Sequence, residues 1–180
     1  MIPFGTMIIE EGLVSKGEIR ERKTVRAIIK NNENKLLMLY SKLFDDYTFP
    51  GGGVMVDESE VSALQRELKE EIGADGIHIL RPCGTTKEMR YGVKGSDHVY
   101  MQTSTYYLCN ILEFGTSDLQ GRELLHGLDP KWVTIDEAIE KNESVMKDER
   151  HQTKGLKTVL IRENTVLKKL KEIELCENLK

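Results

Sequence analysis

Two periods of apolar and polar residues alternate along this chain, and together they predict both strands and helices. Short runs rich in β-branched residues are typical of strands, whereas apolar residues recurring every three or four positions are typical of amphipathic helices. The strand candidates are residues 25–30, 35–40, 77–80, 85–91, 98–111 and 131–134. Strands around a central helix, followed by a terminal helix, predict an α/β fold with a mixed sheet and helices on its faces.

Turn-forming residues divide these candidates. Asn31 to Asn34 lie between the first two strand runs, so this region is predicted to be a β-hairpin. Residues 92–97 separate the two long strand runs. Residues 114–130 contain three glycines and show little periodicity, so they are predicted to form a long loop.

Three segments show the helical period. The first spans 57–72: Asp57 and Glu60 have the spacing of a capping pair, and Gly73 follows as a C-terminal cap. Its predicted core stripe consists of Val61, Leu64, Leu68 and Ile72. A second helix is predicted to begin at Asp136. A third, basic amphipathic helix spans about 156–175, and its polar face is interpreted as the solvated side of a packed terminal helix.

Composition limits the class of protein. With 180 residues, 39% hydrophobic and 31% charged, the chain is predicted to form a single domain with its own core. Its 26 basic and 30 acidic residues give a net charge of −4, which argues against a general nucleic-acid surface. We find neither a membrane-length apolar run nor a secretory signal. Three widely spaced cysteines indicate reduced thiols and a cytoplasmic location.

The candidate chemistry lies in residues 49–74. Gly51 to Gly53 leave the backbone bare, so carbonyl and amide groups can approach a ligand closely. Glu67, Glu70 and Glu71 have i, i+3, i+4 spacing and form one acidic patch on the predicted helix. A hard divalent cation, Mg²⁺ or Mn²⁺, would offset their repulsion, and Arg66 could hold a carboxylate in place. For the patch alone, a solvated helix face is the simpler interpretation, because acidic helix faces are common.

The spacing of this segment resembles the Nudix box. The matching elements are Gly52, Glu58, Arg66-Glu67-Leu68, Glu70-Glu71 and Gly73, followed by Ala74 where the family has a bulkier aliphatic residue. The resemblance extends over roughly residues 23–140. It implies an α/β/α sandwich around a mixed sheet, with the box forming a loop–helix–loop. It also implies a Mg²⁺-dependent hydrolase, for which Mn²⁺ is a substitute, that cleaves the diphosphate linkage of a nucleoside diphosphate joined to another moiety.

The resemblance also implies roles for individual residues. Glu67 and Glu71 would be direct metal ligands, and the carbonyl of Gly51 or Gly52 would complete the site. Glu70 would be a further ligand or would hold a water molecule at the metal. Arg66 and Glu58 would orient these carboxylates.

Residues outside the box are predicted to supply the general base and the substrate contacts. In several family members the base is a glutamate on a later loop, so Glu123 is the candidate here and Glu113 the alternative. Phe44 and Tyr91 could stack on a base, and Arg26 could meet a phosphate; packing roles remain open for all three. Tyr91 lies near the position of a tyrosine associated in the family with dinucleoside polyphosphates. The four histidines are interpreted as structural or surface residues.

The predicted organisation is a core with two additions. Residues 1–22 form an N-terminal extension, 23–142 the core, and 143–180 a helical extension packed on the same domain. Both additions lie outside the shared core, and such arms can be swapped or packed between two copies of a chain. We therefore expect a homodimer. The expected partner is a small-molecule nucleotide, without nucleic acid or membrane. ADP-ribose, nucleotide sugars and nucleoside triphosphates are further candidate substrates. The alternative function is a non-catalytic nucleotide sensor. A diphosphate isomerase of the prenyl pathway is disfavoured, because the metal-binding His and catalytic Cys of such enzymes are not recognisable in this sequence.

Overall fold

The structure is a computed structural model that describes residues 1–14, 19–92, 96–119, 122–149 and 153–177. For residues 96–97, 122–123 and 175–177 it describes the backbone and not the side chains. Within these ranges the strands are β1 (Ile8–Ile9), β2 (Arg20–Ile29), β3 (Leu36–Ser41), β4 (Asp46–Thr48), β5 (Ala74–Gly92), β6 (Ser96–Phe114) and β7 (Leu128–Val133). The helices are α1 (Glu60–Ile72), α2 (Arg122–His126), α3 (Ile135–Lys147) and α4 (Leu156–Glu177).

The strands form two adjoining sheets. One has the order β1-β5-β6-β2, in which β5 and β6 are antiparallel while β1 and β2 run parallel to their neighbours. The other is antiparallel, with the order β4-β3-β7. This arrangement confirms the mixed sheet. Because β1 pairs with β5, part of the predicted N-terminal extension belongs to the sheet.

Strand β2 separates two hydrophobic cores because its side chains alternate between the faces of the sheet. Val25, Ala27 and Ile29 pack with the α1 residues, including Leu64 and Leu68. Ile28 faces the other way and packs with residues of α3 and α4. The helices therefore cover both faces of the strands, which confirms the α/β/α sandwich.

Several local predictions need correction. The predicted hairpin is wrong: β2 and β3 meet only in the bridge between Lys30 and Leu36, because β2 pairs with β6 and β3 with β7. The two short strands predicted at 77–80 and 85–91 are one strand, β5, whose register shifts near Pro82. The predicted loop at 114–130 contains α2 and the start of β7.

Helix α1 begins later than predicted. Its N-cap is Ser59, whose side chain accepts a hydrogen bond from the Ser62 N–H, and Asp57 instead occupies a turn with φ = 63°. The predicted C-cap is confirmed, because Gly73 has φ = 64° and its N–H bonds back to the last turn. Val61 is 45% exposed, so it does not belong to the core stripe.

Helix α4 packs through most of its predicted apolar residues, and Leu156, Leu160, Val166 and Leu167 are buried. No helix in the described ranges is both long enough and apolar enough to cross a membrane. Cys83 and Cys109 are free thiols; Cys176 lies outside the residues whose side chains are described.

Candidate active site

The glycine-rich segment is held against β2 by backbone hydrogen bonds. Ala27 N–H donates to Pro50 O, and Val25 N–H donates to Gly52 O, each over 2.9 Å. Gly51 has φ = 123°, and a Cβ there would overlap the Val25 carbonyl oxygen. A side chain at this position would therefore push the segment away from the strand.

Two of the predicted metal ligands are buried beneath this segment. Glu67 is 7% exposed and Glu71 is 5% exposed, so neither lies on a solvated helix face. The Gly51 N–H donates to Glu71 Oε2 over 2.6 Å. A Cβ on Gly52 would overlap the Glu67 carboxyl group. The bare backbone at Gly51 and Gly52 is therefore what lets two carboxylates and two peptide units share this space.

Arg66 links the other carboxylates of the box. Its Nε and one Nη donate to the two oxygens of Glu58 over 2.9 and 3.0 Å. Its other Nη donates to Glu67 over 2.8 Å and to Glu70 over 3.4 Å, and the guanidinium also contacts the Gly53 carbonyl. The hydrogen bonds from Arg66 lower the pKa of Glu58, and those to Glu58 raise the pKa of Arg66. Arg66 thus contacts three of the box glutamates, and its role in orienting metal ligands stays a prediction.

The oxygen donors of this site suit a hard divalent cation. Glu67, Glu71 and the neighbouring carbonyls of Gly51 and Gly52 supply carboxylate and peptide oxygens, the ligands that Mg²⁺ takes in proteins. In the described residues no group of three His, Cys, Asp or Glu side chains is gathered as a complete ligand set. Arg66 and the Gly51 N–H hold one oxygen each of Glu67 and Glu71 in this arrangement. The carboxylate and peptide oxygens of this site are thus of the chemical type that fits Mg²⁺.

A cavity of about 560 Å³ opens beside the buried glutamates, within the size range of ligand pockets. Its walls carry both Glu67 and Glu71 together with arginines from three elements. The arginines are Arg22, Arg26, Arg90 and Arg162. Because guanidinium groups match phosphate oxygens geometrically, the cavity combines the groups that a metal-bound polyphosphate needs.

The cavity contains two of the three predicted substrate contacts. Arg26 and Phe44 both line it, although Arg26 also donates to the carbonyls of Phe49 and Gly51. Tyr91 is not in the lining. Its hydroxyl donates to the Val14 carbonyl over 3.1 Å, so the structure places it against the N-terminal segment instead.

Of the two candidate bases, only Glu113 has a side chain that the structure describes. The backbone of Glu123 belongs to α2, but its side chain lies outside the described residues. Glu113 lies opposite Asp75 near the end of β6, and it is exposed and absent from the cavity lining. The assignment of Glu123 therefore stays a prediction.

Sequence reasoning missed a buried ionic network behind the cavity. Arg162 donates to Glu88 over 2.9 Å and also bonds to Glu163, while Arg90 donates to Glu88 over 2.8 Å. Burial alone would raise the pKa of Glu88, but the charges of Arg162 and Arg90 outweigh it and lower the pKa. Glu163 continues this network by accepting a bond from the Phe49 N–H over 3.2 Å.

Two further cavity residues were not predicted as site residues. Asp46 is 2% exposed, and its burial, with the nearby charges of Glu163 and Asp45, raises its pKa from 3.8 to about 7. His126, which was interpreted as structural or surface, lines the cavity and packs edge-on against Phe44 at 5.0 Å. Asp46 begins a strand of three residues and His126 ends a helix of five, and elements this short show no periodic pattern that could have revealed either residue.

Comparison with known proteins places this site in a family. The family model described as "NUDIX domain" matches residues 20–154, so the chain belongs to the NUDIX family. A solved "NUDIX hydrolase from Nitrosomonas europaea" superposes with a TM-score of 0.52 at 18% identity, covering 73% of this chain and 83% of that one. That likeness supports the fold.

Two curated relatives are named RNA pyrophosphohydrolase. The one from Ruthia magnifica is 39% identical over 70 residues, which is 39% of each chain. The one from Nitratiruptor sp. is 33% identical over 112 residues, covering 58% of this chain and 72% of the relative. The chain thus spans about two fifths of the length of the first relative and nearly three quarters of the second.

Proposed function

We propose that this protein is a Mg²⁺-dependent hydrolase that cleaves the diphosphate linkage of a nucleoside diphosphate joined to another moiety. The observation that carries the proposal is the burial of Glu67 and Glu71 against the bare backbone of Gly51 and Gly52. Buried carboxylates are destabilising unless they are paired or bind a cation. This pair lies at the wall of a cavity that also presents arginines.

Different residues are proposed to bind the metal ion, to position the carboxylates and to bind the phosphate groups. Mg²⁺, held by Glu67, Glu71 and a Gly51 or Gly52 carbonyl, would neutralise the diphosphate and lower the pKa of water. Arg66 keeps Glu67 and Glu70 in position through its hydrogen bonds. Arg22 and Arg26 face the same cavity, where a phosphate group can accept their hydrogen bonds.

Glu123 is the proposed general base. Its position in α2, four residues before the Gly127 turn beside the cavity residues His126 and Leu128, supports this assignment. A carboxylate there would take the proton from the attacking water. A Glu123→Gln variant is expected to lose most of its turnover while retaining nucleotide binding; near-normal turnover would rule the assignment out.

A product assay tests the hydrolase proposal. The purified protein is incubated with Mg²⁺ or with a chelator against ADP-ribose, dinucleoside polyphosphates, nucleotide sugars and nucleoside triphosphates, and the products are identified by mass. We expect Mg²⁺-dependent cleavage of at least one substrate, and its loss in Glu70→Gln. Nucleotide binding without cleavage of any substrate would instead indicate the non-catalytic sensor.

The 5′ end of RNA is a second candidate substrate. It is supported by the relatives named RNA pyrophosphohydrolase, whereas the net charge of −4 weighs against an extended RNA surface. An RNA oligonucleotide with a 5′-triphosphate is therefore included in the assay. Preference for it over every free nucleotide would favour this function.

A homodimer in the cytoplasm completes the proposal. The N-terminal segment and α4 lie at the borders of the matched family region, where arms can pack on a second copy. Light scattering is expected to give about twice the chain mass of 20.6 kDa. A mass near that of one chain would contradict the dimer.

A further inference from the structure

Asp46 presents an unused acceptor to the cavity. Its side chain is almost completely buried, and its Oδ1 has no hydrogen-bond partner among the residues that the structure describes. Asp46 nevertheless lines the cavity that holds the glutamates. A buried polar atom without a partner is destabilising by itself, so a ligand group that reached this oxygen from the cavity would stabilise it.

The surroundings of Asp46 suit a flat ring. Phe44 and His126 pack edge-on with ring centroids 5.0 Å apart, and both line the cavity. Leu156 and Val159 of α4 add apolar wall. Aromatic and aliphatic walls around a few fixed polar groups are typical of sites that bind a planar heterocycle.

Asp46 also lies close along the chain to the metal-binding segment. It is the first residue of β4, and Gly51 follows it by five positions. Five extended residues span at most about 17 Å. A nucleoside diphosphate can bridge this interval, with its phosphates near Glu67 and its base near Asp46.

We propose that Asp46 selects guanine by accepting hydrogen bonds from the base's N1–H and 2-amino groups. This inference rests on the proposed function, because it assigns the base of the same nucleotide substrate. Above its pKa of about 7 the Asp46 carboxyl group is ionised, and an ionised carboxylate only accepts hydrogen bonds. Guanine is the base whose pairing edge places two N–H donor groups side by side, whereas adenine, cytosine and uracil each present a single donor group on that edge.

Arg162 supplies a donor of the matching kind. Its Nε is buried without a partner, while its terminal nitrogens bond to Glu88 and Glu163. Arg162 lines the cavity together with Asp46. The guanine carbonyl beside N1 can accept from this N–H, so one donor and one carboxylate together match the order of groups on guanine.

The test measures binding apart from hydrolysis. Calorimetry with Mg²⁺ at pH 8, where the Asp46 carboxyl group is mostly ionised, compares the α,β-methylene analogues of GDP, IDP and ADP, which cannot be cleaved between the phosphates. IDP lacks only the 2-amino group, so it removes one donor while keeping N1–H. We expect the guanine analogue to bind at least about tenfold more tightly than the hypoxanthine analogue, and the adenine analogue to bind more weakly still.

Variants assign the preference to Asp46. Asp46→Asn keeps the shape but loses one acceptor, so the guanine preference should fall to within about twofold, while the affinity for the adenine analogue changes little. Asp129→Asn, the same charge change at a residue paired with exposed Lys131, should retain the full preference. Circular dichroism checks that both variants fold.

Three outcomes would overturn the inference: equal affinity for the guanine and adenine analogues in the wild type, absence of binding, or an unchanged guanine preference in Asp46→Asn. The wild-type ligand series decides the matter even if the variant fails to fold. Failure of the hydrolase proposal would be distinct, because it would appear as absence of product in the substrate assay while these affinities stand.

Discussion

Arg66 shows, at the scale of a single residue, why the fork of a guanidinium matters in this site. It contacts Glu58, Glu67, Glu70 and the Gly53 carbonyl at once. A lysine ammonium is a compact charge and cannot reproduce two parallel hydrogen bonds to Glu58. The sequence predicted Arg66 as a positioning residue because it lies one turn before Glu70; the further contacts depend on the fold of the glycine-rich segment.

Arg66→Lys is therefore expected to weaken Mg²⁺ binding and turnover. Loss of residues that orient metal ligands typically lowers affinity or activity about 10- to 100-fold. The measurement is hydrolysis rate against Mg²⁺ concentration. Lys69→Gln, on the same helix at an exposed position, is the matched control and should behave as wild type. An unchanged Mg²⁺ dependence in Arg66→Lys would contradict the positioning role.

Asp46 is predicted to make stability depend on pH. Its pKa is about 7 in the folded protein and near 3.8 without burial, so the folded state binds the proton more tightly. Stability is then lost as pH rises from about 4 to 7. Between pH 5 and 8 the loss from this group is about 3 kcal/mol.

Asp46→Asn removes this titration. Urea unfolding at pH 5 and pH 8 should show the variant gaining stability relative to wild type at the higher pH. Glu163 and Asp45, whose charges also raise the pKa of Asp46, remain in both proteins and so do not account for the difference. A stability difference that is the same at both pH values would contradict the raised pKa.

Helix α1 shows what periodicity can and cannot predict at the scale of an element. Leu64, Leu68 and Ile72 are buried and Gly73 caps the helix, as predicted. The start was wrong because the Asp57 and Glu60 spacing fits a capping pair, but Asp57 takes a left-handed turn and Ser59 caps the helix. Local spacing alone does not specify which polar residue adopts the capping backbone conformation.

Ser59→Ala should therefore destabilise the protein by about 1 kcal/mol, because it removes the N-cap hydrogen bond. Asp57→Gly should not destabilise it, because glycine accepts φ = 63° more readily than aspartate does. Chemical denaturation of both variants gives the comparison. A larger loss of stability in Asp57→Gly than in Ser59→Ala would indicate that Asp57, and not Ser59, is the N-cap.

The ionic network connects elements across the whole molecule. Arg162 and Glu163 of α4 bond to Glu88 of β5 and to the Phe49 backbone, and they thereby attach the terminal helix to the sheet. The amphipathic pattern predicted the apolar contacts of α4. It did not predict this network, although Glu163 falls on the apolar stripe between Leu160 and Val166, and a charge at such a position was the available signal.

Glu88→Gln is expected to destabilise the fold by about 3–5 kcal/mol, because it removes the negative charge that compensates the buried Arg162 and Arg90. Glu143→Gln removes an ion pair with Lys168 on the outside of the same helix pair and should leave the stability nearly unchanged. Thermal unfolding compares the two. Equal melting temperatures would mean that the network does not hold α4 in place.

The most direct test of the central claim is the hydrolysis rate of Glu67→Gln on the substrate that the product assay identifies. Because Glu67 is a proposed Mg²⁺ ligand buried against Gly52, the loss should be about 10²-fold or more. Glu140→Gln, an exposed change on α3, serves as the control. Such a loss with the fold intact would support a Mg²⁺-dependent hydrolase at this site, whereas near-normal turnover in Glu67→Gln would contradict it.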